Sequence, residues 1–444
     1  MLLKIKNFIF ISLLAGLIFY LSSCNDQPVD IPLVSDTLNL KTISSDSIEL
    51  FAEIVSEKNP LNVTFNQSYQ FVGSYNEMEA ISMIRYSQVP DSIPVLDINR
   101  IVSAKMWMYP DRYYYGDTTN LNLGFEVREL LDTLKINLTY DEIFNQGKTY
   151  FGADNLAEYD APVTLKGVED PDSIVFDIDK EIIKKWVEFA AIEDETDDPY
   201  KFYSYGIVLL PKENSSMNGI FRFDTYRPTD ELDYSEYITT RELPKIEVIY
   251  NSDTNNLSIL DTFYLDPVNV SYYVDGQEPE SDAITIQGAI STRTRLSFNL
   301  DSIPEFASIL SAEMRWTLDP ERSEFGVFGP DSAIWGSILE DFANFATDWQ
   351  YEAFWEDSTY TFIFPGLASA IERWNTLENP GVFTFIAPRK SNPAEAFDLF
   401  DNRRSPAGEL YFLDKYVFHG LNDPDPTKRP KLLIIYTENP EDFE

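Results

Sequence analysis

"DSIPVLDINRIVSAKMWMYP" (91–110) recurs as "DSIPEFASILSAEMRWTLDP" (301–320), with two extra residues in the first copy. Asp91-Ser92-Ile93-Pro94 returns as Asp301-Ser302-Ile303-Pro304. Ser103-Ala104-Lys105-Met106 returns as Ser311-Ala312-Glu313-Met314. Both stretches leave a proline-marked turn and enter an alternation of apolar and polar residues, the period of a half-buried strand. Working outward, "FDIDKEIIKKW" (176–186) lines up with "FPGLASAIERW" (364–374). "GIVLLPKENSSMNGIFRFDTY" (206–226) answers "GVFTFIAPRKSNPAEAFDLF" (381–400), and "PKIEVIY" (244–250) answers "PKLLIIY" (430–436). Five blocks in one order make an internal duplication. Two copies of about 200 residues predict two like domains rather than a solenoid. The copies span 41–252 and 253–444, and the polar "NSDTNNLSILDT" (251–262) reads as the linker between them.

Each copy reads mostly as strands. "AISMIRYSQV" (80–89), "LNLGFEVREL" (121–130), "YSYGIVLLP" (203–211) and "TRTRLSFNL" (292–300) alternate with β-branched and aromatic residues, and Pro, Gly, Asn and Asp stand between them. One helix recurs per copy. "KEIIKKWVEFA" (180–190) sets Ile182, Ile183, Trp186 and Phe189 on one face, and "ASAIERW" (368–374) does the same with Ile371 and Trp374. Trp186 and Trp374 are expected as core plugs where helix meets sheet. The fold class is therefore all-β: two tandem jelly-roll-like β-sandwich domains, each with one short helix.

The N-terminus gives an address. Lys4 and Lys6 precede the uncharged run "FIFISLLAGLIFYL" (8–21), which is long enough for a signal-peptide core and too short to be a dependable membrane span. Leu21-Ser22-Ser23-Cys24 resembles the bacterial lipobox. That resemblance implies that residues 1–23 are removed and that Cys24, the one cysteine of the chain, carries acyl chains. Two or more acyl chains hold a protein durably on a bilayer. With a single cysteine there is no intrachain disulfide. Residues 24–40 then read as lipidated Cys and polar tether, and the expected location is the cell envelope, with the outer membrane or cell surface favoured.

Composition excludes some functions. The chain carries 34 basic and 74 acidic residues, net −40, which becomes −42 when Lys4 and Lys6 leave with the signal. Such a balance opposes nucleic acid, whose affinity comes from Lys and Arg on phosphates. It suits a soluble acidic surface. Hydrophobic residues at 44% are enough to build real cores.

The block order resembles a known family. "IRYSQVPDSIP…SAKMWMY" followed by "FEVRELLDTLKINLTYDEI", a short helix ending in Trp, a Gly-led strand and a closing P-K-x-x-x-I-Y is similar to the DNRLRE domains. The resemblance covers both copies and implies carbohydrate-binding-type β-sandwiches in an exported protein. A second resemblance, carried by "YGDTT" (115–119) after a strand, is to uncharacterised lipoproteins and implies the sandwich alone.

Catalytic groups are sparse. The one histidine, His419, sits in the turn-like "YVFHGLNDPDP" and reads as structural. No Gly-x-Ser-x-Gly, HExxH, CxxC or phosphate-cradling Gly-rich loop occurs. Acidic pairs are too abundant to single out a glycosidase dyad. Two aromatic clusters could instead stack on the apolar faces of sugar rings. One is "MYPDRYYYGD" (108–117), read as a loop because Tyr113, Tyr114 and Tyr115 cannot all face one core from a strand. The other is "FANFATDWQYEAFWED" (342–357), with Trp349 and Trp355, in which Phe342, Phe345, Trp349 and Tyr351 have helical spacing. Acidic loops at 168–173, 193–199 and 422–426 offer oxygen ligands, with Asp194, Asp197 and Asp198 as the candidate set for a structural calcium. No other cofactor is expected. The leading expectation is a non-catalytic lipoprotein that binds extracellular polysaccharide. The alternatives are a structural or adhesive envelope protein binding proteins through strand edges or its acidic face, and a carboxylate-based polysaccharide-cleaving enzyme.

Overall fold

The computed structural model describes residues 40–58, 69–86, 98–131, 140–144, 150–165, 173–191, 206–212, 217–225, 243–253, 256, 258–276, 278–289, 292–305, 307–330, 333–337, 350–356, 359–376, 382–386 and 412–438. The chain divides into an N-terminal unit, Met1–Lys41, of which only Leu40 and Lys41 are described, and a compact unit, Thr42–Glu444. The residues read as signal peptide, Cys24 and the residues read as tether up to 39 lie outside the described residues.

The first half of the chain supplies β1 (Leu40–Ser44), β2 (Phe51–Lys58), β3 (Tyr69–Tyr75), β4 (Met78–Tyr86), β5 (Ile101–Met108), β6 (Pro110–Gly116), β7 (Asn122–Leu130), β8 (Phe151–Pro162), β9 (Ile174–Ile178), β10 (Gly206–Pro211), β11 (Gly219–Asp224) and β12 (Lys245–Asn251). Its helices are α1 (Tyr140–Phe144) and α2 (Lys180–Ala191). The second half supplies β13 (Leu260–Leu265), β14 (Pro267–Asp275), β15 (Ala283–Gln287), β16 (Thr292–Phe298), β17 (Ser308–Thr317), β18 (Ala333–Ser337), β19 (Gln350–Glu356), β20 (Thr361–Phe364), β21 (Val382–Ile386), β22 (Lys415–His419), β23 (Lys431–Thr437) and helix α3 (Ala368–Thr376). The chain is all-β and sandwich-like, with antiparallel sheets throughout. The short α1 is an addition to the one helix per copy read from the sequence.

Three sheets form. One runs β6-β11-β3-β4-β10-β7-β8, with β14 on the other side of β4. A four-stranded sheet runs β13-β12-β5-β9. The third runs β1-β23-β17-β20-β19-β18-β21-β16-β15-β22, with β2 paired to β16. A bridge between Leu318 and Phe418 brings the β17 end of this last sheet back to β22, so it curls around its own core. The duplication is visible strand by strand. β5 lies between β12 and β9 as β17 lies between β23 and β20, and β4 takes β10 on one side as β16 takes β21.

Local chemistry explains the elements. The β3–β4 turn is the two-residue loop Asn76-Glu77, both at positive φ, flanked by the pair Tyr75 and Met78. Two such residues match the twist of a tight hairpin. Helix α2 opens on Asp179, whose Oδ1 accepts the Glu181 amide at 3.0 Å, the capping bond of a helix start. Ile182, Ile183 and Trp186 are buried in the core between the first two sheets, and Trp374 stacks on Phe298 in the third sheet's core. The side chain of Phe189 lies outside the described residues.

At both ends of the stretch 251–262, expected as a linker, the chain is in strand: Asn251 pairs with Leu260 and Ile249 with Thr262. The first strands of each copy also cross over. β14 pairs along β4 from Glu79 to Tyr86, inside the first copy's sheet, and β2 pairs along β16, inside the second's. Alternation reports which face of a strand is apolar but not which neighbour completes its ladder.

Candidate functional site

The tyrosine cluster is buried, against the expectation of a ligand-facing loop. Residues 110–116 form β6, paired to β11, and Tyr113, Tyr114 and Tyr115 are 0%, 0% and 1% exposed. Three consecutive residues do alternate faces, but β6 has a core on each side. Tyr114 points into the core between the first two sheets, against Phe221 at 4.7 Å. A Cβ on Gly219 would overlap its ring. Tyr113 and Tyr115 point the other way, into a cluster that includes Phe71, Ala289, Phe412 and Leu413 and so draws on both copies.

Polar bonds fasten this seam. The Tyr113 hydroxyl donates to Asp414 Oδ1 at 3.1 Å and accepts the Leu413 amide at 2.8 Å. The Gly326 amide donates to the same Asp414 oxygen at 2.7 Å, and Tyr115 donates to Glu324 at 2.9 Å. Burial pushes the Tyr113 and Tyr115 hydroxyls well above the ordinary tyrosine range, with the Asp414 and Glu324 carboxylates adding to it. Beside them Arg222, with no exposed surface, pairs with the buried Asp111 and lies over the rings of Tyr69, Phe412 and Tyr113 at 4.0, 4.9 and 5.2 Å. These groups join parts of the fold and are not open to a ligand.

Trp355 is half-buried against the third sheet's core, 4.9 Å from Phe362 and 6.0 Å from Tyr360, and reads as packing. Tyr351 lies on strand β19, so the helical stripe expected through it does not form there. Trp349, Phe342 and Phe345 fall outside the described residues, as do Asp194, Asp197 and Asp198. Among the described residues no group of three or more metal-ligating side chains occurs. In the 422–426 loop, His419 Nδ1 lies 2.7 Å from Asp423, and the Asp425 and Thr427 amides donate to Asp423 and Asp425 at 2.8 and 2.9 Å. Those bonds close turns. The Asp425 amide holds the Asp423 carboxyl below its usual range, and the Thr427 hydroxyl, followed by the Thr427 amide, does the same at Asp425.

The arrangement that faces solvent is the outer side of the four-stranded sheet. Along β5, Ala104, Met106 and Met108 point inward, so Lys105 and Trp107 point outward. Register then assembles two rows. Lys245, Trp107 and Val175 lie opposite one another on β12, β5 and β9. Tyr264, Glu247, Lys105 and Asp177 do so across all four strands. The Lys245 ammonium stands between two rings, 5.0 Å from Tyr264 and 5.9 Å from Trp107, within cation–π reach of both. Tyr264 is 40% exposed, and its hydroxyl lies 3.5 Å from Glu247. Burial, and then the Glu247 charge, raises its titration. The Trp107 indole N–H has no hydrogen-bond partner among the described residues. Two cations and two carboxylates balance on this face of a chain that carries −40 overall.

The second copy lacks this surface. The inward pairs keep their type: Met106 and Met314, Ile246 and Leu432, Val248 and Ile434 are all buried. The outward positions change, with Trp107 matched by Arg315, Lys105 by Glu313 and Glu247 by Leu433. Sequence reasoning passed over Trp107 because it sits in an ordinary strand pattern. Its phase against Ala104, Met106 and Met108 was the available signal, whereas Tyr264 joins it only through register. No family model matches the chain, and neither a curated protein nor a solved structure matches it.

Proposed function

We propose that this chain is a lipid-anchored, non-catalytic envelope lipoprotein that binds an extracellular polysaccharide, an uncharged one, on the outer face of the β13-β12-β5-β9 sheet. The observation that carries the reading is the pair of aromatic rings, Trp107 and Tyr264, set around Lys245 in a charge-balanced patch. Aromatic planes accept the apolar C–H faces of sugar rings, and neighbouring carboxylates and ammonium groups are matched to their hydroxyls. The acidity of the whole chain repels polyanions, which favours a neutral glycan. Cys24 supplies the anchor, and the cell surface is the favoured location.

The adhesive alternative would use a sheet edge, and β8, the longest strand among the described residues, is paired to β7 and half-exposed. It carries Asp154, Glu158 and Asp160 and two register irregularities, features that oppose strand addition.

Affinity electrophoresis of residues 25–444 against a panel of neutral and acidic polysaccharides tests the reading. Retardation by a neutral glycan is expected, and Trp107→Ala and Tyr264→Ala should each weaken it at least about fivefold, the equivalent of about 1 kcal/mol. Absence of retardation by any glycan would move the assignment to a protein partner. Cys24→Ser should release the protein from the membrane fraction.

A further inference from the structure

The crossing of the first strands is reciprocal. β13 and β14, which open the second copy, complete the β12 and β4 ladders of the first copy, and β2 completes the β16 ladder of the second. β1, whose residues from Thr42 onward belong to the compact unit, lies on β23 as β13 lies on β12. Just past β1, the Ser45 amide donates to the Leu432 carbonyl at 3.0 Å and the Leu432 amide to Ser45 Oγ at 2.9 Å. Neither copy finishes its sheets with its own opening strands. The covalent chain therefore has the pairing pattern of a strand-exchanged dimer of one repeat unit, with the two units fused.

The two exchanged segments are not held equally. β13–β14 buries Phe263, Leu265, Val270, Tyr272, Tyr273 and Val274, and is tied to the chain at both ends, through 252–259 and 276–282. The β1–β2 segment buries only Ile43, Leu50 and Phe51, and one connection, 59–68, joins it to the rest of the compact unit. The crossing itself is polar. Lys58, the last residue of β2, pairs with Asp275, the last of β14, and donates to the Gly276 carbonyl at 2.8 Å, with both side chains partly exposed. Detaching β1–β2 uncovers Ile43, Leu50 and Phe51 and the Phe298 and Trp316 rings that Phe51 packs against.

We infer that β1–β2 is an exchangeable donor segment, and that the β16 acceptor takes it either from its own chain or from a second copy of this chain. The contacts made at the acceptor are the same in both cases. Only the connection 59–68 and the effective concentration it imposes favour the intrachain form. Exchange between copies therefore grows with protein concentration during folding.

The register supplies the test, because Glu53 and Ser297 lie directly opposite on β2 and β16, on the outward side. In a Cys24→Ser background the chain has no other cysteine. Isotopically heavy Glu53→Cys chain and light Ser297→Cys chain are mixed, unfolded in urea, refolded together at about 0.01–0.1 mM, below the mM effective concentration of a short tether so that exchange stays proportional to concentration, and oxidised. Mass spectrometry should find peptides spanning positions 53 and 297 linked heavy to light, with a yield that rises about tenfold for a tenfold increase in refolding concentration. The double variant Glu53→Cys/Ser297→Cys should close its bond within one chain when dilute. If the double variant closes and the mixture gives no heavy–light link at any concentration, exchange between copies is refuted. Failure of the double variant to close would refute the register on which the inference stands.

Discussion

Raising the pH through 10 should unfold this protein steeply, and tyrosines control the slope. Tyr86, Tyr113, Tyr114 and Tyr115 all have hydroxyls raised above the ordinary value, first by burial, with Asp414, Asp117 and Glu324 adding to the last three. Above pH 10 the unfolded chain releases these protons while the folded chain keeps them. The folded state then binds more protons, and stability falls as pH rises; below pH 10 the contribution is fully present. Each retained proton is worth about 1.4 kcal/mol per pH unit, so four tyrosines give about 5 kcal/mol per unit. Against a typical net stability of about 5–15 kcal/mol, folding should be lost within about one to three units above pH 10. Urea midpoints between pH 8 and 11, with tyrosinate absorbance followed in parallel, measure the slope. Tyr113→Phe and Tyr115→Phe should each remove about a quarter of it. At pH 8 Tyr113→Phe should cost about 2–3 kcal/mol, because the Leu413 amide and the Asp414 carboxylate lose a buried partner. A slope unchanged in both variants, or ionisation of these tyrosines before unfolding, would refute the buried-seam account.

Other perturbations probe the same architecture. Asp111→Ala removes the carboxylate facing the fully buried Arg222 and should cost about 3–5 kcal/mol, whereas Asp111→Leu combined with Arg222→Met should recover most of it, both read from urea midpoints. A protease site inserted after Asp253, between β12 and β13, should be cleaved, yet the two pieces should stay together on gel filtration without denaturant, because β13–β14 belongs to the first copy's sheets and β2 to the second's. Two separate folded peaks would overturn the strand pairing.

The amino-acid sequence by itself determined the duplication, the strand-rich class, the helix closing on Trp186 and its counterpart on Trp374. Those features are local: a period of two or 3.6 is set by backbone geometry, and repeated words need no tertiary knowledge to read. The tyrosines of β6 were misread because alternation says that neighbouring residues face opposite ways, not whether water or a second core lies on each side. The partners of β2 and β14 were out of reach for a related reason. A ladder forms between backbone groups that are chemically alike in every strand, and pairing across 181 to 247 residues of sequence (Pro267 to Tyr86, Phe298 to Phe51) is chosen by how the two cores close together. The face carrying Trp107, Tyr264 and Lys245 is divided the same way. Phase placed Trp107 outside, while register alone, fixed by the buried rows beneath it, brought the second ring and the ammonium alongside.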